Sequence, residues 1–358
     1  MTTTASDTHA FIAGLPKAEL HVHLVGSASP ETVLGLSRRH PSSTVPIDLR
    51  ALRDFYSFTD FAHFIDVYIA VNSLVVSAAD ITDLVVGLAR DLAACNVRYA
   101  EVTVTPYSHL LVGIPAADIT AALAVGRQRA ADEHAVRLQW VFDIPGECGP
   151  AAGLDTVDWL LDQKPSGTAG FGLGGPEIGF PRALFTESFD RARAAGLPSL
   201  PHAGETTGPE SVWSALDDLG AVRVGHGIAS VVDPALLARL RDDDVALEVC
   251  PTSNARTGAV ASLEVHPLSR LVDAGVPVTL GSDDPGMFAT TLTREYEVAH
   301  EVLGLTLPQL TEIARTGVRV SFAPDEVKVV MLAEIDAVAA AHGVGPVDVP
   351  GSADPPIG

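Results

Sequence analysis

Short apolar runs alternate with amphipathic stretches along most of the chain. Apolar side chains recur at helical spacing over 118–134, 182–195, 210–219 and 234–240. The apolar runs, each short enough for one strand, cover 97–105, 138–144, 169–173, 199–202, 222–225, 245–250 and 276–281. Strands that alternate with helices in this way predict a parallel sheet covered by those helices.

An eighth apolar run, at 19–24, brings the strand count to that of a closed barrel. The predicted fold class is therefore α/β, a (β/α)8 TIM barrel, with extra C-terminal helices packed outside it at 306–321 and 325–341. An open doubly wound sheet is the alternative, but no Gly-x-Gly-x-x-Gly motif follows the first strand. We expect one domain over 1–342 and a disordered tail over 343–358, because that segment is rich in glycine and proline.

The charge and the cysteine content of the chain limit which kinds of molecule it can bind. The chain has 358 residues, of which 47% are hydrophobic, and a formal net charge of −22 with a pI of about 4.7. Such a surface repels phosphate backbones and anionic lipid, so we expect neither nucleic acid nor a membrane as partner. Cys95, Cys148 and Cys250 form no CxxC pair, which argues against a disulfide framework and a thiolate zinc site. The first ten residues do not resemble a signal peptide, so the expected location is cytoplasmic. The oligomeric state is not predicted.

The first strand ends in two histidines. Side chains alternate across a strand, so His21 and His23 should project to one side and Val22 to the other. Two imidazoles on one face form half of a site for a divalent metal. Two polar residues on a solvated strand face are the alternative, and this motif alone gives the two interpretations equal weight.

Polar clusters also follow four later strands, at the end of a barrel where active sites lie. These clusters lie at 202–205, 225–227, 248–254 and 282–285. Each one alone is readily explained as a polar loop. Their coincidence at strand ends, together with their imidazole and carboxylate groups, favours a single site.

The residue types in these clusters suit metal-assisted hydrolysis. Catalytic zinc takes nitrogen and oxygen ligands and keeps one position for water. His21, His23, His202 and one of the adjacent aspartates, Asp283 or Asp284, supply such ligands. His226 and the other aspartate are candidates to orient the water, and Glu205 is a candidate proton donor.

With these motifs together, the chain resembles the adenosine deaminase family of the amidohydrolase superfamily. The resemblance extends over roughly 14–335 and is carried by the motifs at 16–24 (PKAELHVHL), 202–205 (HAGE), 226–227 (HG), 250–254 (CPTSN) and 282–285 (SDDP). It implies hydrolytic removal of the 6-amino group of a purine nucleoside, a small-molecule substrate, with release of ammonia. It also implies one Zn²⁺ per chain.

The resemblance further implies a role for each matching residue. The implied zinc ligands are His21, His23, His202 and Asp283. Glu205 would protonate a ring nitrogen of the 6-aminopurine, while His226 and Asp284 would hold and deprotonate the attacking water. Gly175 matches a glycine whose backbone N–H meets a purine nitrogen. A tight turn also explains a glycine there, and both can be true.

One residue departs from the family pattern. In adenosine deaminases the two histidines are followed by Leu-Asp-Gly, whose aspartate grips the ribose 5′-hydroxyl, and adenine deaminases have glutamate there. This chain has Val25 at that position, and valine cannot accept a hydrogen bond. Deaminases of 6-amino-6-deoxyfutalosine, in the alternative menaquinone route, resemble this family and act on a substrate with a bulky aromatic keto group at the 5′ end. We therefore favour that nucleoside, which gives futalosine, over adenosine or deoxyadenosine, the alternative if the valine reflects drift.

An aromatic stretch provides candidates for an apolar lid over the ligand. Phe61, Phe64 and Tyr68 recur at helical spacing, and Phe58 lies just before them. We name Phe58, Phe61 and Phe64 as candidate substrate contacts, together with Val25. Ordinary core packing is the alternative for most of these side chains.

Two other classes of function remain open. Another amidohydrolase, cleaving an amide or a phosphoester, would share the metal ligands but not the Glu205 acid. A barrel used only for binding would be expected to lack one or more ligands, and none is missing. The HxE and PCxxC signature of cytidine-type deaminases is not part of this set, so deamination of bases in nucleic acid is not implied.

Overall fold

Eight parallel strands form the centre of the molecule. The structure, a computed structural model, describes residues 5–41 and 44–346. Each strand pairs with the next along the chain, and the predicted strand ends agree with the observed ones within two residues. The strands are β1 (Lys17–His23), β2 (Val97–Val104), β3 (Arg137–Pro145), β4 (Thr168–Gly174), β5 (Ser199–Ala203), β6 (Arg223–His226), β7 (Ala246–Val249) and β8 (Val278–Leu280).

The chain just after β8 closes the barrel against β1. Val22 and Asp283 form a parallel bridge. The backbone N–H of His23 donates to the Asp283 carbonyl, and the Asp283 N–H donates to the His21 carbonyl, both at 2.9 Å. The predicted (β/α)8 barrel is therefore confirmed, and its closure brings Asp283 beside the two histidines of β1.

Helices follow the strands and surround them. Ser29 caps the second helix, as its position before Pro30 suggests, by accepting from the Thr32 N–H. The stretch at 182–195 is divided into a 3-10 turn, Arg182–Phe185, and a helix. The helices are α1 (Ala5–Gly14), α2 (Pro30–Arg39), α3 (Leu49–Phe55), α4 (Phe61–Asn72), α5 (Ala78–Ala94), α6 (Pro106–Leu111), α7 (Ala116–His134), α8 (Gly149–Gln163), α9 (Thr186–Ala194), α10 (Pro209–Asp217), α11 (Pro234–Asp242), α12 (Pro251–Arg256), α13 (Leu268–Asp273), α14 (Pro285–Phe288), α15 (Leu292–Glu301), α16 (Leu307–Val320) and α17 (Asp325–Ala341).

The two C-terminal helices have different positions. Leu310, Ile313, Ala314 and Val318 are buried and form one face of α16, which packs against β8 and β1. That helix therefore belongs to the ring around the barrel. Helix α17 packs on α16 from outside and is the added element.

The core fills the barrel and the layer between the strands and the helices. Trp140, Phe142 and Phe171 are among the largest fully buried side chains. Among the described residues, no helix is both long and apolar enough to cross a membrane. Most of the tail that the composition predicts to be disordered, 347–358, lies outside the described residues.

Candidate active site

Four potential metal ligands converge at the carboxyl end of the barrel. His21 and His23 come from β1, His202 from β5 and Asp283 from the chain after β8, and one ligand atom of each lies within 4.8 Å of the others. The His23 and His202 Nε2 atoms are 3.1 Å apart. Asp283 Oδ1 is 3.4 Å from His21 Nε2 and 3.3 Å from His23 Nε2.

This spacing fits a small divalent cation. Tetrahedral ligands at zinc–ligand distances of about 2.0–2.1 Å are about 3.3 Å from one another. His21 Nε2 is buried and forms no hydrogen bond among the described residues. A second set replaces His23 and His202 with His226 and Cys250. Burial raises the pKa of the Cys250 thiol well above its usual value, and because the thiolate is the ligand form, the first set is the better one.

The electrostatics of the cluster favour positive charge at its centre. Burial lowers the pKa of His23 to about 4 and that of His202 well below its usual value, so both rings are neutral ligands at pH 7. Burial opposes charge on His21 as well, but Asp283 and Glu248 outweigh it and raise the pKa of that imidazole to about 10. Burial likewise opposes charge on Asp283, but its contacts with His21 hold the pKa of this carboxyl well below the usual range.

A buried carboxylate orients the first histidine. Glu248 Oε2 accepts from His21 Nδ1 at 3.1 Å, which leaves Nε2 for a cation. Arg223 donates to Glu248 Oε1 at 2.6 Å and also pairs with Glu101. Ser253 similarly donates to Asp283 Oδ2 at 2.5 Å. Sequence analysis includes Glu248 in a polar cluster but assigns it no role, because only the closed barrel brings the Glu248 side chain of β7 into contact with His21 of β1.

A carboxyl group and a neutral imidazole lie beside the cluster. Glu205 Oε2 is 3.6 Å from His226 Nε2. Asn254 Nδ2 donates to Glu205 Oε1 at 3.3 Å and to His226 Nδ1 at 3.1 Å. Burial, with the charge of Asp283, raises the pKa of Glu205 to about 8, which favours its protonated form at pH 7. Burial, with the charge of His21, lowers the pKa of His226 to about 3, so that ring is neutral.

Two of these residues have unusual backbone conformations. His226 and Asp283 both have a left-handed φ, 59° and 61°, although neither is a glycine. Backbone strain of this kind concentrates at functional sites. Asp284 is also buried, and a Cβ added at Gly26 would lie 1.5 Å from its Oδ1, so glycine is required there. Burial and the neighbouring Asp283 raise the pKa of Asp284 well above its usual value.

Glu177 ties the turn after β4 to the loop after β5. Its carboxylate accepts from the N–H groups of Gly204, Glu205 and Thr206 at 2.6, 2.9 and 2.7 Å. It also accepts from the Ser211 hydroxyl at 2.6 Å. Burial opposes its charge, but these donors outweigh burial and lower its pKa. The carboxylate therefore positions the backbone that carries Glu205.

A cavity of about 90 Å³ opens onto Glu205, His226 and three of the potential metal ligands, His23, His202 and Asp283. Its apolar wall comes from α4 and its polar wall from the ends of β2, β3 and β4. The apolar side is lined by Phe61, Phe64, Ile65, Tyr68 and Ile69, and the polar side includes Thr105, Ser108, Asp143, Glu147 and Gly175.

Comparison with known proteins shows the family of this chain. The family described as adenosine deaminase matches residues 16–338. The chain is 52% identical to the aminodeoxyfutalosine deaminase of Streptomyces avermitilis, over 94% of this chain and 95% of that protein. The chain therefore belongs to the adenosine deaminase family.

Solved structures place this family member among metal-binding barrels. The adenine deaminase of Arthrobacter aurescens superposes with a TM-score of 0.87 at 32% identity, covering 91% of this chain and 99% of that one. An amidohydrolase from Burkholderia ambifaria, solved with bound Zn, gives a TM-score of 0.87 at 28% identity, covering 96% of this chain and 97% of that one. Adenosine deaminase family members are metal-dependent, and the histidine–aspartate cluster is where this chain can hold the ion.

In this adenosine deaminase family member, most of the predicted site residues lie at the metal-ligand cluster or the cavity, and two lie away from the cavity. The predicted metal, acid and base residues converge, and Phe61, Phe64 and Gly175 line the cavity beside them. Val25 and Phe58 do not line it. Val25, 4% exposed, is packed in the hydrophobic core beyond the end of β1. Phe58 lies behind the wall, with ring centroids 5.4 Å from Phe64 and 5.9 Å from Phe288.

Apart from Gly175, sequence analysis missed the polar wall. Thr105 and Asp143 end two different strands and belong to no recognisable motif. The available signal was a single aspartate inside the apolar run at 138–144. A charged residue is unexpected in a buried strand unless it is paired, as Glu101 is with Arg223, or faces a cavity.

Proposed function

We propose that this chain hydrolyses 6-amino-6-deoxyfutalosine to futalosine and ammonia. The observation that carries the substrate is the 52% identity to an aminodeoxyfutalosine deaminase over nearly the whole chain, against 36% to the adenine deaminase of Streptomyces coelicolor. The C6–N bond of the purine breaks, the bond from C6 to the water oxygen forms, and the amino group leaves as ammonia. Adenosine is the alternative substrate that an assay must exclude.

His21, His23, His202 and Asp283 would hold one Zn²⁺ per chain. Support comes from the ligand spacing, the neutral rings of His23 and His202, and the zinc bound in the Burkholderia amidohydrolase. When bound, the ion lowers the pKa of a water molecule to about 7 and so supplies a nucleophile at neutral pH.

Glu205 donates a proton to the purine ring nitrogen beside the reacting carbon. Its raised pKa keeps the proton available, and Asn254 and Glu177 hold its side chain and backbone. His226 and Asp284 hold the attacking water and take its proton. The low pKa of His226 keeps that ring neutral, so it can orient the water, and the raised pKa of Asp284 makes this carboxylate, once ionised, the stronger proton acceptor of the two.

The cavity walls hold and cover the purine. The Gly175 N–H donates to a purine nitrogen, and Phe61 and Phe64 exclude water from the reacting carbon. Phe58 acts through Phe64, against which it packs. Val25 leaves the turn after β1 without an acceptor for a 5′-hydroxyl, which suits a substrate substituted at that position.

A competition assay tests this proposal. Purified protein with measured zinc content is given equal concentrations of 6-amino-6-deoxyfutalosine, adenosine and adenine, and product formation is followed by chromatography. We expect a kcat/KM for the futalosine precursor at least about 10²-fold higher than for adenosine. Equal or faster turnover of adenosine would refute the substrate, and no turnover of any 6-aminopurine by the zinc-loaded protein would refute the deaminase assignment.

A pair of variants tests the acid. Glu205→Gln cannot donate a proton as an acid does, so kcat should fall about 10²–10⁴-fold while the zinc content remains unchanged. Glu187→Gln removes an exposed carboxylate from α9 and is the matched control. Near wild-type turnover by Glu205→Gln would contradict the assigned role.

A further inference from the structure

Asp143 is a buried carboxylate at the end of β3 that none of the steps above uses. It is 3% exposed and lines the cavity. Thr105 donates to its Oδ1 at 2.6 Å. Within residues 5–41 and 44–346, no other side chain or backbone N–H outside Asp143 itself donates to Oδ2. Because a carboxylate has several acceptor sites and Asp143 lines the cavity, Oδ2 is available to a donor that the protein itself does not supply.

The backbone beside Asp143 leaves room for its free oxygen. A Cβ added at Gly174 would lie 2.7 Å from Asp143 Oδ2, so any other residue there would crowd the carboxylate. Gly174 directly precedes Gly175, whose N–H is assigned to the purine in the proposed function. Asp143 is therefore next to the part of the cavity wall that holds the base, within reach of the sugar attached to it.

The substrate class limits which donors can reach this oxygen. A nucleoside substituted at its 5′ end retains two sugar hydroxyls, at the 2′ and 3′ positions. The apolar wall formed by α4 cannot bond to them. Of the two carboxylates on the polar wall, Glu147 is exposed, whereas Asp143 is buried. The buried carboxylate is therefore the one with the more fixed position.

We propose that Asp143, held by Thr105, accepts a hydrogen bond from the 2′- or 3′-hydroxyl of the ribose and so makes the site select nucleosides over free purine bases. This inference rests on the proposed function. It assigns Asp143 to specificity and Thr105 to positioning, and neither to the chemical step.

The experiment compares ligands that differ only in the sugar. Inhibition constants of inosine, 2′-deoxyinosine, 3′-deoxyinosine and hypoxanthine are measured against whichever 6-aminopurine the wild type turns over. Burial raises the pKa of Asp143 to about 7, so the constants are measured at about pH 8, where this carboxyl is mostly ionised. We expect wild type to bind inosine about 10- to 100-fold more tightly than one of the deoxy analogues, as for a hydrogen bond to a charged group. Asp143→Ala should lose this discrimination and leave the inhibition constant of hypoxanthine within about 3-fold of wild type.

Two further variants separate a specific role from a structural one. Thr105→Val should reduce the discrimination between inosine and the deoxy analogue, but by less than Asp143→Ala does. The carboxylate remains in this variant but no longer receives the hydrogen bond from Thr105. Glu147→Gln removes one negative charge from the exposed part of the same wall and should retain the discrimination. Zinc content and the urea midpoint are measured for each variant.

Two outcomes would overturn the inference, and a third concerns the proposed function. If Asp143→Ala binds zinc, unfolds at the wild-type midpoint and still discriminates inosine from both deoxy analogues, Asp143 does not contact the ribose. If Glu147→Gln loses the discrimination instead, the wrong carboxylate has been assigned. Failure of the wild type to deaminate any 6-aminopurine would refute the proposed function and is recognisable before any variant is tested.

Discussion

Glu177→Gln should damage both stability and turnover, although Glu177 touches no expected reacting atom. Oε1 accepts from the Gly204 N–H and from the hydroxyls of Thr207 and Ser211. Oε2 accepts from the N–H groups of Glu205 and Thr206. The side-chain amide of the glutamine has one oxygen and one NH₂ group, so one of the two acceptor oxygens is replaced by a donor. In the less harmful orientation the NH₂ group takes the Oε1 position, where both hydroxyls can rotate to accept and the Gly204 N–H is left unpaired.

The size of the effect follows from this count. One buried, unpaired N–H costs about 1–3 kcal/mol, and the remaining bonds lose their ionic partner, so the free energy of unfolding should fall by about 2–4 kcal/mol. A shift of about 1 Å in the loop that carries Glu205 should lower kcat/KM about 10²-fold. The zinc content should not change, because His202 lies on β5, before this loop.

Urea denaturation and steady-state kinetics measure the two effects. Glu187→Gln, an exposed carboxylate in the first turn of α9, should change the free energy of unfolding by less than about 1 kcal/mol. If Glu177→Gln matches this control in both stability and turnover, the carboxylate does not hold the loop and the reasoning is wrong.

The same residue predicts a pH dependence. Its pKa is lowered in the folded protein, because the hydrogen bonds outweigh burial, whereas an unfolded glutamate titrates near about 4.3. A lowered folded pKa contributes stability that is complete above the unfolded pKa and is lost as pH falls through the folded one. The difference in unfolding free energy between wild type and Glu177→Gln should therefore be constant above about pH 5 and shrink below about pH 4.

Three further variants test other parts of the site. Glu248→Gln removes the carboxylate that orients a metal ligand, so metal affinity in a chelator competition should fall about 10–100-fold, and unchanged affinity would refute that role. Gly26→Ala brings a Cβ against Asp284 and should abolish most turnover, whereas Gly35→Ala, with open space at its Cβ, should not affect turnover; equal activity of the two would refute the close approach. Val25→Asp would bury an unpaired carboxylate in the core, so it should lower the urea midpoint rather than shift specificity toward adenosine, and a stable variant that prefers adenosine would restore Val25 as a substrate contact.

The sequence alone determined the architecture and the reactive groups. Apolar runs of strand length, separated by helical patterns, predicted all eight strands, because burial on both faces of a parallel strand leaves a continuous apolar run. The reactive residues could also be found from the local sequence, by their position relative to the apolar runs. His21, His202, His226 and Asp283 stand at or beside the ends of such runs, and the chain direction of a parallel barrel brings all those ends to one face.

The tertiary structure decided what each residue touches. Asp143 meets Thr105 across 38 positions, and Glu248 meets His21 across 227, contacts that depend on strand register and on closure of β1 against the end of β8. Closure also removed Val25 from the expected substrate contacts and placed it in the core. A local pattern reports whether a side chain is apolar and on which face of its own element it lies. It does not report the distance to another element, because that distance is set by the packing of the whole barrel.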